Sequence, residues 1–436
     1  MLDNSRPTCV RYVVVAVTTL SAVLLYLDRF CISFAERFIK RDLDLSDEQM
    51  AWMLSAFFWT YALGQVPSGW LADRFGARRM LTVYILLWSL FTALTGVAGG
   101  FAALLASRLA FGLAQAGAYP TSAGLLSNWI PFASRGLASS VVAFGGRIGG
   151  SLAPVLTAYL ILWASWRESM FVYGAIGLAI ATVFWVTFRD RPDQHGLCNA
   201  AEIATIETDR LAHAPDRAGV VGGVPWGPIL RSRSLWLNCL MQWGTNVGWV
   251  FLVSWLPRYL EEVHEAPVEA RGWMTSAPIF VGWFGMLCGG WLTDRFVPVL
   301  GLRWGRSALV VGSRLVAMGA YVVCLLPLSP WQVTIAFAVV AFGTDVGIGA
   351  VWAFQQDVGG RHVGSVLGWG NMWGNLGAAL SPPLLNWAVK HYGWDAAFIV
   401  CAAGFLVSGL AALGIDATKR IVPDDEATEL NRRQQR

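Results

Sequence analysis

An all-α membrane protein, with twelve transmembrane helices in two pseudo-symmetric six-helix bundles, is the fold this sequence predicts. Three observations predict it. The octapeptide Gly69-Trp70-Leu71-Ala72-Asp73-Arg74-Phe75-Gly76 returns as Gly290-Trp291-Leu292-Thr293-Asp294-Arg295-Phe296-Val297, with six of eight residues identical at an offset of 221 positions. Apolar stretches of about 20 residues, enough to cross a bilayer, recur from one end of the 436-residue chain to the other. The composition is 56% hydrophobic and only 14% charged, with a mean hydropathy of +0.51, where a soluble chain carries roughly 25% charged residues. A duplicated charged turn, each copy following a long apolar segment, marks two related membrane halves.

Breaking the apolar windows at charge and at Gly/Pro clusters gives the elements in order. The first half holds spans near 12–39, 48–72, 80–99, 102–128, 136–163 and 168–188. The first of these follows Arg6 and Arg11, lacks an Ala-x-Ala-like exit and runs on into Tyr26-Leu27-Asp28-Arg29, so it is expected to be a retained span rather than a leader. Span 2 ends on the repeated turn. Span 5 contains Gly150-Ser151-Leu152-Ala153-Pro154, similar to Ala378-Ala379-Leu380-Ser381-Pro382 in span 11. Gly/Pro-rich spans of this kind bend or let helices approach closely. Residues 189–233 are rich in Arg, Asp, Glu, Pro and Gly and read as a soluble linker, in which Ala200–Ala214 carries charges at helical spacing and predicts a surface helix. The second half holds spans near 234–260, 272–293, 305–326, 331–356, 362–388 and 394–416. The expected organisation is therefore a bundle over 1–188, a linker over 189–233, a second bundle over 234–416 and a tail over 417–436.

Charge orients the spans. With the N-terminus in the cytoplasm, 21 Lys and Arg fall on cytoplasmic loops, tails and span ends, 7 on the other side, and 4 within spans. This threefold bias follows the positive-inside rule, so both termini, the linker and both turns are expected in the cytoplasm of a plasma (bacterial inner) membrane protein. The net charge of +4 comes from that bias, and nucleic acid is not needed as a partner. Seven scattered cysteines form no CxxC and no metal-ligand spacing, which supports neither a disulfide framework nor a metal site.

Ionisable groups inside spans cost from about 2.5 to over 10 kcal/mol and need a reason. Arg29 lies within span 1, Arg108 in span 4 and Arg147 near the middle of span 5, about 18 Å along a helix from Arg135. Arginine's planar fork suits a carboxylate. Structural ion pairing is the alternative, but the first half has few acids to neutralise three arginines. In the second half Gln242, Asn246 and Trp249 share a face of span 7, and Asn371 and Asn375 pair at i, i+4 in span 11, beside Trp369 and Trp373. Amides and indoles suit hydroxyls and sugar rings if they face a cavity, and interhelical hydrogen bonding if they do not. Arg314 and Asp345 read as a structural ion pair between spans 9 and 10, with a cation or proton site at Asp345 as the competing reading.

The 6 + 6 arrangement, with Gly-x-x-x-Asp-Arg-x-Gly after span 2 and a partial copy after span 8, resembles the major facilitator superfamily over nearly the whole chain. Within it, the anion:cation symporter family is the similar group. The resemblance rests on Tyr26-Leu27-Asp28-Arg29, Ser55-Ala56-Phe57 with Tyr61, Gln65-Val66-Pro67-Ser68-Gly69, Arg108-x-x-x-Gly112 and Trp129-Ile130-Pro131 with Arg135. It implies that spans 1, 4 and 5 line a central cavity, that Tyr26 and Arg29 hold substrate, that Tyr61 lines it, and that Arg108 takes part in coupling. Members of that family commonly carry Glu where this chain has Gln115, as the proton-carrying site; glutamine cannot titrate. Asp28 is then the remaining candidate carrier, or else a permanently ionised partner of Arg108, and sodium coupling or no coupling ion stays open. The turns, with Arg295 in the second, are expected to act as cytoplasmic latches, Asp73 and Asp294 facing helix N-termini of the opposite half and Arg74, Arg78 and Arg79 pairing with acids, with Asp357 as one possible partner.

These readings imply a secondary transporter, not an enzyme, importing a small organic anion, foremost a sugar acid such as a hexuronate or aldonate. An efflux carrier, a uniporter or an exchanger for another solute (a dicarboxylate, an aromatic acid, a sulfonated sugar) is the alternative. No cofactor beyond a coupling proton or sodium ion is expected, no metal, and no partner beyond substrate and lipid bilayer for a monomer.

Overall fold

The computed structural model describes residues 7–131, 135–213, 225–359 and 363–421. Its regular structure is helical, with no strand among the described residues. The first half runs through α1 (Val10–Asp42), α2 (Asp47–Phe75), α3 (Ala77–Gly96), α4 (Phe101–Ala116), α5 (Ala118–Trp129), α6 (Arg135–Trp163) and α7 (Trp166–Thr187). The linker contributes α8 (Ala200–His213) and α9 (Trp226–Arg231). The second half holds α10 (Arg233–Val250), α11 (Leu256–Glu262), α12 (Val268–Val323), α13 (Pro330–Gly359), α14 (Val363–Tyr392) and α15 (Trp394–Leu413). Among the described residues, nine segments are long and apolar enough to cross a membrane, on predicted spans 1, 3, 4, 5, 6, 8, 9, 10 and 12. Spans 2, 7 and 11, richer in Trp, Gly and amides, are helical as well.

The helices gather into two compact units. One holds residues 1–35 and 63–220; the other holds 36–62 and 221–436. The last turns of α1 and the first half of α2 thus pack with the second-half helices.

Three local departures from straight helices follow from single residues. Span 4 is two helices, α4 and α5, parted at Gly117, where the Tyr84 ring lies so close that a methyl would sit 2.2 Å from it. Pro120 follows in the first turn of α5, where its missing main-chain donor costs least. In span 7, α10 passes into a π-helical turn over Phe251–Trp255 before α11. Pro257 cannot donate to the preceding turn, and the wider turn accommodates it. The two repeated turns also differ. Gly76 adopts φ 89° and separates α2 from α3, whereas Val297 stands in its place in the second copy. A β-branched residue cannot take that conformation. The helix therefore continues through the second turn and breaks four residues later, at Gly301 with φ 76°.

The linker helix forms where the charge pattern predicts it, but it is tied to α1 rather than simply solvated. Glu202 is fully buried and accepts from the Arg11 and Val10 main-chain N–H groups, at 3.1 and 3.3 Å, and from the Thr8 hydroxyl. Asn199 accepts from the N–H groups of both Thr8 and Glu202, at 3.2 and 3.0 Å. One carboxylate thus caps the N-terminus of α1, whose first-turn donors otherwise lack partners. The Cys198 thiol donates to the same carboxylate, and burial together with that charge pushes it up to about 12, so it stays protonated.

Candidate functional site

In the first unit, α1 brings Tyr26, Asp28 and Arg29 to one level. Tyr26 and Arg29, three residues apart, lie side by side, with the guanidinium carbon 4.7 Å from the tyrosine ring centre. Arg29 is 8% exposed and donates through Nε and Nη2 to Gln115 Oε1 at 3.2 and 3.1 Å. Gln115, fully buried in the last turn of α4, donates from Nε2 to the Leu25 carbonyl at 2.9 Å.

Asp28 points to a different side of α1. Its buried carboxylate faces the Trp88 indole of α3 and the Arg108 guanidinium of α4. Arg108 in turn has Cys31, Arg29 and Asp28 as its electrostatic neighbours and lies 4.6 Å from the Phe111 ring centre. Tyr173 of α7 and Thr157 of α6, joined at 2.8 Å between their hydroxyls, close the buried polar group. The structure therefore gathers Tyr26, Arg29, Asp28, Arg108 and Gln115 into one nest. Arg147 lies on α6 of the same unit, half-buried, its helix packed on α1 through Gly146, where a methyl would sit 2.7 Å from Tyr26.

The remaining predicted binding residues fall in the second unit. Tyr61 is buried and stacks on Phe57, ring centres 5.2 Å apart. Gln242 and Asn246 face α14 at its glycines. A methyl built on Gly370 would lie 2.4 Å from Gln242 Nε2, 2.6 Å from Gln355 Nε2 and 2.7 Å from Asn238 Nδ2, and one on Gly374 would lie 3.0 Å from Asn246 Nδ2. These amides fill a seam between helices. Asn238 and Gln355, both buried, belong to it and were not singled out by the sequence; the i, i+4 spacing of Asn238 from Gln242 was the available signal. Asn375 donates to the Asn371 carbonyl at 2.8 Å, and Asn371 is exposed. Trp369 and Trp373 pack edge-on against Trp236, with ring centres 5.5 and 5.4 Å apart.

Arg314 is buried on α12 and donates to the Thr344 and Gly343 carbonyls at 2.9 and 3.4 Å, with Asp345 as its charge neighbour. Asp357 is held by Arg306 at 3.0 Å. Of the turn residues, the side chains of Asp73 and Asp294 lie outside the described residues. Arg74 lies near Trp70, and Arg295 near Trp291, at 5.4 and 5.5 Å from the ring centres. Arg78 donates to the Trp185 carbonyl at 2.7 and 3.2 Å, and its main-chain N–H to Asp190 at 2.8 Å. Its partners are thus the end of α7 and the residues after it, within its own unit, and its guanidinium meets a main-chain carbonyl rather than an acid.

A charge network that the spacing of residues did not announce joins the last turns of α1 and the start of α2 to α11 and α12, within the second unit. Arg37 meets Glu262 at 2.6 Å and Arg258 meets Asp47 at 2.9 Å and Glu262 at 3.1 Å, while Lys40 pairs with Asp47 and both Arg41 and Arg271 pair with Glu261. Arg258 also lies 4.0 Å from the buried Glu36. The clustering of charge at the ends of spans 1 and 7 was its only trace in the sequence.

The family model described as Major Facilitator Superfamily matches residues 18–382. A probable sulfoacetate transporter of Cupriavidus necator is 29% identical over 96% of this chain and 97% of its own length. A probable galactarate/D-glucarate transporter of Escherichia coli is 28% identical, covering 94% of each chain, and a hexuronate transporter of Bacillus subtilis is 27% identical over 89% of this chain and 90% of its own. Among solved structures, a bacterial homologue of the human lysosomal transporter Spinster, inward-facing and occupied, gives a TM-score of 0.73 at 20% identity over 93% of this chain and 96% of that one. A D-xylose–proton symporter gives 0.70 at 15% identity, over 93% and 98%. At such identities the two structures speak to the fold alone.

Proposed function

The chain belongs to the Major Facilitator Superfamily and is an integral membrane transporter rather than an enzyme; from that premise we propose that it imports a sugar acid, such as a hexuronate or aldonate, by cation-coupled alternating access. One observation carries the reading: a buried guanidinium, Arg29, held by a neutral amide beside a tyrosine ring. Burying that charge is costly, and the partner that Gln115 supplies is a neutral amide. A carboxylate ligand suits a guanidinium through the geometry arginine's fork favours. Relatives named for galactarate/glucarate and for hexuronate support this class.

Arg108 serves the same anion electrostatically, and Asp28, facing Trp88 and Arg108, is the group proposed to carry a coupling proton, since Gln115 cannot titrate. Tyr61, Asn371 and Asn375 stand as candidates for the substrate's hydroxyls, and Gln242 and Asn246 as the seam behind them. The turn arginines Arg74 and Arg295 gate the cytoplasmic side, with both termini inside, as the Lys/Arg bias supports. A second reading, a small sulfonated carboxylate, is favoured by the sulfoacetate relative and by the third arginine, Arg147.

The test is uptake into proteoliposomes of glucuronate, galactonate, galactarate and sulfoacetate, under imposed proton or sodium gradients. Uptake of a sugar acid is expected, with Vmax/KM lowered roughly 10- to 100-fold by Arg29→Ala, as losing a charge-assisted hydrogen bond implies. Movement of organic cations with no anion uptake would sink the proposal. Uptake of sulfoacetate alone would select the second reading.

A further inference from the structure

We infer that the charge network joining α1 and α2 to α11 and α12 is a releasable outer latch, built so that its acids keep a partner when it opens. The inference rests on the alternating-access reading and not on the choice of substrate. α1 and α2 belong to the first of the two sequence-related halves and α11 and α12 to the second, yet residues 36–62 pack into one compact unit with 221–436. The network sits at the starts of α2 and α12, one span's length before each repeated turn. Of the seven Lys and Arg that the charge count assigns to the outer side, five belong to it: Arg37, Lys40, Arg41, Arg258 and Arg271. Cations are disfavoured on that side, so their concentration in one network needs a reason.

The pairs fall into two sets. Across the halves, Arg37 meets Glu262 at 2.6 Å and Glu261 at 3.7 Å, Arg41 meets Glu261, and Arg258 meets Asp47 at 2.9 Å. Within a half, Lys40 meets Asp47, Arg258 meets Glu262 at 3.1 Å, and Arg271 meets Glu261. Asp47, Glu261 and Glu262 therefore each hold a cation from both halves. Parting the halves exchanges the crossing contacts for water and strips none of these three carboxylates of all its cations. A buried charge left wholly unpaired is the costly case, whereas a partly exposed pair is worth little, so this latch opens cheaply. Water already reaches its rim, since the Arg41 and Asp47 side chains are 65% and 40% exposed. The buried Glu36 differs: Arg258, 4.0 Å away, comes from the other half, so this contact favours the closed arrangement.

One guanidinium joins three helices. Arg258, itself buried, directs Nη2 to Asp47 of α2, Nε to Glu262 of its own helix and Nη1 toward Glu36 of α1. Its bond to Glu262 spans i, i+4, and the Trp255 ring centre lies 5.0 Å from its guanidinium carbon. Both contacts come from the second half, which thus orients this side chain before the first half meets it.

The two sets of pairs predict shifts of opposite sign. Spin labels at Ser46→Cys and Val263→Cys, both exposed, with Cys9, Cys198 and Cys288 replaced by Ser, report the spacing of the two ends by electron–electron double resonance in lipid nanodiscs. A short and a long distance population are expected. Arg37→Gln with Arg41→Gln removes crossing pairs and should raise the long-to-short ratio about 2- to 30-fold. Lys40→Gln removes the cation on which Asp47 falls back and should lower that ratio. Raising salt from about 0.1 to about 1 M should shift the unsubstituted protein toward the long distance, by screening. One unchanging distribution throughout, or a shift of the same sign in both variants, overturns the latch. Proteoliposome uptake of galactarate and sulfoacetate separates the two readings. Uptake with unresponsive distances sinks the latch alone, and responsive distances with no anion uptake sink the substrate reading and leave the latch standing.

Discussion

The first unit's α1–α4 contact and the second unit's α10–α14 contact are both polar seams between helices, yet they are built from different chemistry. Between α1 and α4 lie two guanidiniums, a carboxylate and one amide, with Arg29, Arg108, Asp28 and Gln115 all buried. Between α10 and α14 lie the amides of Asn238, Gln242 and Asn246 against the glycines at 370 and 374, with no formal charge. A charged seam is expensive in a membrane and needs a reason, whereas an amide–glycine seam is an ordinary way to bring two helices close. Polar residues at i, i+4 therefore have two meanings, and the facing helix decides between them.

The largest expected effect tests the charged seam. Arg108→Leu leaves Asp28 without its facing cation and should destabilise the protein by about 3–5 kcal/mol, as breaking a buried pair does, read as a large fall in unfolding temperature in detergent. Retained stability would mean that the Asp28 carboxylate is held by other groups, and the contrast between the seams would weaken. Next is the amide seam. Gly370→Ala drives a methyl into three amide nitrogens and should cost about 1–3 kcal/mol, while Gly368→Ala, with open space around its added methyl, should be neutral. Equal behaviour of the two variants would show that the seam is looser than its geometry implies. The smallest effect sharpens the distinction of roles. Asn246→Leu should cost only about 0.6 kcal/mol and leave KM within about twofold, since interhelical hydrogen bonds in membranes are weak. A KM shift of about 10-fold would return Asn246 to the binding residues.

Much of this was legible in the chain. Span number and spacing follow from apolar runs set by bilayer thickness, and these do not depend on what each helix touches. Tyr26, Arg29, Asp28, Arg108 and Gln115 were visible as polar groups in apolar windows. The side chains of α1 illustrate what was not: Asp28 and Arg29 are adjacent in sequence, so no spacing rule told which one meets Gln115 and which meets Trp88. The pairs that join Glu36, Arg37, Arg41 and Asp47 to Arg258, Glu261 and Glu262 were similarly hidden, because ion pairs across more than 200 residues leave no local pattern.

The sequence by itself determined the helical membrane fold, the two related halves and the ionisable groups that lie within apolar spans, because hydrophobic length and the cost of charge in lipid act on each segment alone. Only tertiary structure decided the pairings: Gln115 on Arg29, Glu202 on the start of α1, Arg78 on the end of α7, and amides on glycines rather than on open space. Those depend on which faces meet at hydrogen-bonding distance, a property of two elements together. The second turn shows both at once. Val297 in place of Gly76 forbids the positive φ locally, and the helix it prolongs moves the break to Gly301.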